Sequence, residues 1–152
     1  YDFSKIESYS TFDRNSAFDE FQTMSDATRN SIEIAIEKSL DAKGYLYKNS
    51  KDADVIIGYH LINSPTDLKK YNKGVRFCGP CLHSRFDESN SKDWKMLPGS
   101  LILDVVNQKD NRSIWRSVLP LKIKVKDNSR EAQAKIQNAI DNMIKTLPRY
   151  FS

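Results

Sequence analysis

Cys78-Gly79-Pro80-Cys81 is the stretch whose residue types and spacing could do covalent chemistry. Two thiols separated by two residues can work as a redox pair, with Cys78 attacking as a thiolate and Cys81 resolving the mixed disulfide. That chemistry wants the first thiol at a helix N-terminus, which lowers its pKa. The flanks do not supply one. Residues 69–77 are mostly polar, and residues 84–92 have no apolar helical stripe. A second option is metal: His83 lies two residues beyond Cys81, and with His60 the set Cys78, Cys81, His83 and His60 could satisfy tetrahedral zinc. The spacing is not that of a standard finger. Haem attachment would need histidine directly after the second cysteine. The reading these residues favour is a Cys78–Cys81 disulfide closing a tight Gly-Pro turn, in an oxidising compartment. So short a loop adds little global stability and acts locally.

Other candidates are weaker. With two histidines in the chain, no Ser/His/Asp arrangement is evident, and there is no glycine-rich phosphate loop. Asp87-Glu88 lies in polar text, where solvated carboxylates are the default. No catalytic residue and no cofactor are expected. Trp94, between Lys92 and Lys95, either pins its segment to the body or marks a partner surface. Phe77 and His83 belong to the same candidate surface. Lys122, Lys124 and Lys126 share one face of an expected strand. They could meet anionic headgroups, but lysines on an exposed strand also discourage edge-to-edge aggregation. Trp115 shares parity with Leu119 and Leu121 and is expected in the core.

The elements that must position these groups follow from periodicity. Residues 1–12 mix aromatic and hydroxyl side chains, as strands do. Ser25 is an N-cap, Ile32, Ile36 and Leu40 form a helical stripe, and Gly44 suits the C′ position. Residues 53–62 are apolar on both faces, which predicts a central strand. Val55, Ile57, Tyr59 and Leu61 share one face, and Ile56 and Ile62 the other. Residues 63–98 carry Pro65, Gly74, Gly79, Pro80 and Pro98 and read as a long irregular insertion. A hairpin follows, with strands at 101–106 and 114–125. Pro120 marks its second strand as an edge or a bulge. A last helix starts near Ser129, with Ile136, Ile140, Met143, Ile144 and Leu147 as its stripe and Pro148 at its end. The order β-α-β-(long loop)-β-β-α predicts one α+β domain over 1–152. Its expected form is an antiparallel sheet with two amphipathic helices packed on one face.

Composition is consistent with such a domain. The 152 residues suffice to bury a core without metal or disulfide. The net charge of +4 is spread along the chain rather than gathered into a nucleic-acid stripe. No stretch is long and apolar enough to span a membrane.

Several segments together resemble a known family. They are Tyr1-Asp2-Phe3-Ser4-Lys5-Ile6-Glu7-Ser8-Tyr9, Leu40-Asp41-Ala42-Lys43-Gly44-Tyr45, and Ala53-Asp54-Val55-Ile56-Ile57-Gly58-Tyr59. Residues 99–106, continuing to Ile114-Trp115-Arg116, and the helix ending at Leu147-Pro148 fit as well. All are similar to a large bacterial family, read as lipoproteins and catalogued as domain of unknown function 4136. The resemblance covers most of the chain outside 63–98. It implies an α+β fold, export, and a lipidated cysteine upstream of Tyr1 tethering the domain to a membrane, the outer membrane before others. It carries no catalytic residue. Cys-Gly-Pro-Cys also resembles the thioredoxin redox centre, although Phe77 stands where that family has tryptophan. The expectation is therefore a non-enzymatic periplasmic domain that binds or scaffolds an unidentified protein or envelope component, not nucleic acid. A thiol-disulfide redox protein or a zinc-binding protein is the alternative.

Overall fold

The computed structural model describes residues 3–11, 25–75, 99–121, 123 and 126–147. A short 3-10 turn, Phe3–Lys5, leads into β1 (Ser8–Thr11). Helix α1 spans Asp26–Ala42. Its Ser25 cap is extended, and the Ser25 hydroxyl accepts from the Thr28 N–H at 3.2 Å. Its end is a Schellman motif. Gly44, at φ 88°, donates to the Asp41 carbonyl at 2.9 Å, and Tyr45 donates to Leu40 at 3.0 Å. Tyr45 then packs in the same core as Leu40.

The chain continues as β2 (Leu46–Tyr47), β3 (Val55–Ile62), α2 (Pro65–Gly74), β4 (Ser100–Asn107), β5 (Arg112–Pro120) and α3 (Ser129–Ile144). The five strands form one sheet in the order β2-β1-β3-β4-β5. The sheet is mixed, which corrects the expectation of a wholly antiparallel one. β1 runs parallel to both β2 and β3, while β3-β4-β5 are antiparallel. The cause is topological: a strand that returns through a crossover helix such as α1 arrives in the same direction. Asp54 fastens β1 beside β3. Its carboxylate accepts from the Glu7 and Ser8 N–H groups at 2.8 and 3.0 Å, and its own N–H donates to the Ser8 hydroxyl.

Helices α1 and α3 share one face, as expected. Ile32, Ile36 and Leu40 of α1 and Ile136, Ile140, Met143 and Ile144 of α3 join a single core with Val55, Ile57 and Tyr59 of β3 and Leu101, Leu103 and Val105 of β4. Burying each such aliphatic side chain contributes about 1.5–3 kcal/mol. The Gln133 and Gln137 amides donate to the Ser31 and Ala35 carbonyls, so the two helices run in the same direction.

The second face is also covered, and here the sequence expectation is corrected again. Residues 65–74, read as irregular, form α2. Pro65 and Gly74 stand at its ends, where proline and glycine delimit a helix rather than prevent one. Leu68, Tyr71 and Val75 pack against Ile56, Ile62, Ile102 and Val106. The last strand is shorter than expected. It ends at Pro120, Ile123 is exposed rather than buried, and Lys126 is exposed in the connector to α3. Lys122 and Lys124, expected on one strand face with Lys126, lie outside the described residues.

Candidate functional site

The densest set of coupled polar side chains among the described residues lies between α2 and the sheet. It starts with one charge in an apolar strand. Asp104 interrupts Leu101-Ile102-Leu103-Asp104-Val105-Val106, and parity puts it on the α2 face with Ile102 and Val106. Its carboxylate is fully buried. Oδ1 accepts from Arg116 Nε at 2.8 Å and from the Ser113 hydroxyl at 2.6 Å, and Oδ2 accepts from the Tyr71 hydroxyl at 2.6 Å.

Strict alternation cannot place Ser113 and Arg116 on one face, because they are three residues apart. A β-bulge does it. Val105 pairs with Trp115 and Val106 with Ser113, leaving Ile114 as the extra residue. Ile114 and Trp115 both enter the α1/α3 core, and Ser113 turns to the α2 face.

Helix α2 supplies the remaining groups. Its Ser64 cap accepts from the Asp67 N–H, and the Asp67 carboxylate accepts from the Asn63 N–H at 2.9 Å. That start fixes the helix phase that puts Tyr71 inward. The row Gly58, Asp104, Arg116 carries no side chain at Gly58, and the Tyr71 ring is itself buried. The ring lies parallel to the His60 imidazole, with centroids 6.0 Å apart and planes 5° apart. The Arg116 guanidinium sits 5.6 Å from the ring centroid and donates to Asn72 Oδ1 at 2.8 Å. Burial, then the Asp104 charge, holds the Tyr71 hydroxyl well above its usual pKa. Burial pulls His60 below its ordinary 6.5, with Asp67 pulling the other way. Chemically this is a sealed, mutually satisfied network: the carboxylate's oxygens are occupied, and no water-facing path reaches Asp104, which is 0% exposed.

On the α1 side, the Tyr59 hydroxyl donates to Glu33 at 2.6 Å, and burial followed by that bond raises its pKa. A shallow groove of about 660 Å³ runs between α1 and α3, lined by Ser39, Lys43, Asn138, Asp141, Asn142 and Lys145 among others. Lys43 there donates to the Leu147 carbonyl at 3.1 Å.

Of the residues singled out from the sequence, His60 is buried at the Tyr71 stack, and Lys126 is exposed far along the chain from it. Phe77, Cys78, Cys81, His83, Trp94, Lys122 and Lys124 lie outside the described residues. Among the described residues no group of three or more His, Cys, Asp or Glu side chains is arranged to hold a metal, and no helix is long and apolar enough to cross a membrane. Asp104, Arg116, Tyr71 and Ser113 were not legible as a group. The lone aspartate in an apolar strand was the available signal.

Comparison with known proteins agrees with the fold. A crystal structure of a DUF4136 family protein from Bacteroides thetaiotaomicron VPI-5482 is similar at a TM-score of 0.57 and 17% identity, covering 94% of this chain and 88% of that one. A likeness at that identity speaks for the fold alone. A PDZ domain protein from Parabacteroides distasonis ATCC 8503 has a TM-score of 0.49 and 16% identity over 99% of this chain and 33% of its own, too weak to bear on this one. No curated protein matches the chain. The family model described as a domain of unknown function, DUF4136, matches residues 1–149, and the chain therefore belongs to the DUF4136 family.

Proposed function

We propose that this chain is a non-enzymatic binding domain of the bacterial envelope, exported and lipid-anchored through a cysteine upstream of Tyr1, that holds or scaffolds an envelope protein. One observation carries the non-enzymatic part. The most strongly coupled ionisable groups among the described residues, Asp104, Arg116 and Tyr71, are buried and bonded to one another. An acid–base site needs a group within reach of a substrate proton; these groups instead fasten α2 to the sheet. The anchor and compartment rest on the family resemblance of the sequence. Phe77, His83 and Trp94 are the partner-facing residues in this reading, with Lys122, Lys124 and Lys126 towards anionic headgroups, and Cys78 and Cys81 as an inert disulfide.

The test uses the protein with its natural upstream residues, in its own cells. Fractionation with metabolic lipid labelling is expected to place it in the envelope as a lipidated species. A photo-crosslinker replacing Trp94 is expected to capture one envelope protein. Unlipidated protein in the cytosol would overturn the anchor. Rapid exchange of Cys78 with an added disulfide would overturn the non-enzymatic reading in favour of thiol chemistry.

A further inference from the structure

We propose that Glu37, Asp41, Tyr47 and the hydroxyl of Tyr9 form a docking site for a lysine or arginine side chain of a partner protein. The site lies along the side of α1 turned away from α3. Ser31 and Ala35 face α3, and Ser39 lines the groove between the two helices. Glu33, Glu37 and Asp41 each follow one of these by two residues, which puts them about 200° around the helix. Two tyrosines of the sheet stand beneath that stripe. Tyr59 of β3 donates its hydroxyl to Glu33 at 2.6 Å. Tyr9 of β1 is 1% exposed, yet its hydroxyl has no hydrogen-bond partner. Burial, then the charges of Asp41 and Glu37, raises its pKa, so both acids lie within reach of its field. Leaving a buried hydroxyl unbonded is costly.

The two acids lack a counter-charge. Glu37 and Asp41 are four residues apart on one helix face, where like charges repel. Among the described residues neither carboxylate forms an ion pair or hydrogen bond. The lysines close in sequence are directed elsewhere. Lys38 sits about 100° around the helix from Glu37. Lys43 donates to the Leu147 carbonyl, and Lys48 acts on Asp54. Tyr47 completes the site from the edge strand. It pairs with Tyr9 in the β1–β2 register and shares its face, and the two rings meet edge to face with centroids 5.6 Å apart. Tyr47 is 52% exposed, and Glu37 and Asp41 are exposed as well. An incoming cation therefore meets two carboxylates and an aromatic ring at the surface, with the Tyr9 oxygen behind them as a further acceptor. That set fits an ammonium or guanidinium, which carries only donors and whose stem can lie on a ring. A hard metal ion takes more oxygen ligands and has no use for the ring. The site shares no residue with the partner surface proposed above and stands or falls without it.

Nuclear magnetic resonance of the full chain, titrated with the peptides acetyl-Gly-Lys-Gly-amide and acetyl-Gly-Arg-Gly-amide, tests this. Saturable shifts are expected at Tyr9, Glu37, Asp41 and Tyr47, with a Kd in the millimolar range. Glu37→Gln combined with Asp41→Asn removes both charges at exposed positions and relieves a repulsion, so the fold is kept. That variant should bind the basic peptides about twofold to thirtyfold more weakly. Tyr9→Phe keeps the ring and removes only the hydroxyl. It should also bind more weakly, while its Tm stays at or above that of the wild type, because the hydroxyl had no partner to lose. Absence of shifts at these four residues overturns the proposal. So do equal shifts from acetyl-Gly-Gln-Gly-amide, which would show that the charge is not read, or from calcium chloride alone, which would make this a hard-ion site. Unchanged affinity in either variant overturns it too, as does a lower Tm for Tyr9→Phe, which would mean that the hydroxyl is already bonded.

Discussion

Asp104 is fully buried and has three hydrogen-bond donors among the described residues. Burying an ion pair is costly, and removing one partner is worse than never having had the pair, because the other charge stays behind. Asp104→Ala is expected to destabilise the fold by about 3–5 kcal/mol in urea titrations. Tyr71→Phe leaves one carboxylate oxygen short of a donor and should cost about 1–3 kcal/mol. If the two variants lost equal stability, Arg116 would not be the main partner of Asp104. At this scale the sequence was half informative. Asp104 was visible as a polar residue at an apolar parity. Ser113 was not, since the bulge at Ile114 reverses its face. Tyr71 is hidden in the sequence because Pro65 and Gly74 read as breakers, whereas they bound a helix.

Among the elements, α1 was legible from end to end, since its caps are local. Ser25, the Ile32–Ile36–Leu40 stripe and Gly44 each act within a few residues of themselves. Gly44 at φ 88° ends the helix in a conformation that side chains with a Cβ resist. Gly44→Ala is expected to cost about 1–2 kcal/mol, seen as a Tm lower by about 2–8 °C. An unchanged Tm would mean that the turn relaxes into another C-terminal geometry. The same local reasoning found α3 near Ser129 but not its cap, Asn128, whose side chain accepts from the Glu131 N–H at 2.8 Å. It overran β5 because the alternation of 121–125 continues past Pro120 while the pairing with β4 stops there.

For the molecule as a whole, a carboxyl ties folding to pH. Asp54 is exposed, yet it joins two strands far apart in the chain. The Glu7 N–H, with help from Ser8 and Lys48 and against desolvation, lowers its pKa below the ordinary 3.8. A carboxyl lowered on folding stabilises above 3.8, and that contribution is lost as pH falls through its folded value. Asp54→Asn should therefore flatten the urea midpoint against pH below 3.8. An identical acid profile for variant and wild type would remove Asp54 from the account.

The amphipathic helices, the central strand, the core place of Trp115 and the edge character marked by Pro120 were readable from the residues alone, because each depends on periodicity or on a cap within a few positions. Family membership was readable too, from short segments spread along the chain. Strand direction and the face chosen by a bulged residue were decided only by tertiary structure. So was the meeting of Tyr71, Asp104 and Arg116. The physical reason is that each joins residues tens of positions apart through pairing and packing, and neither a helical nor a strand period contains that information.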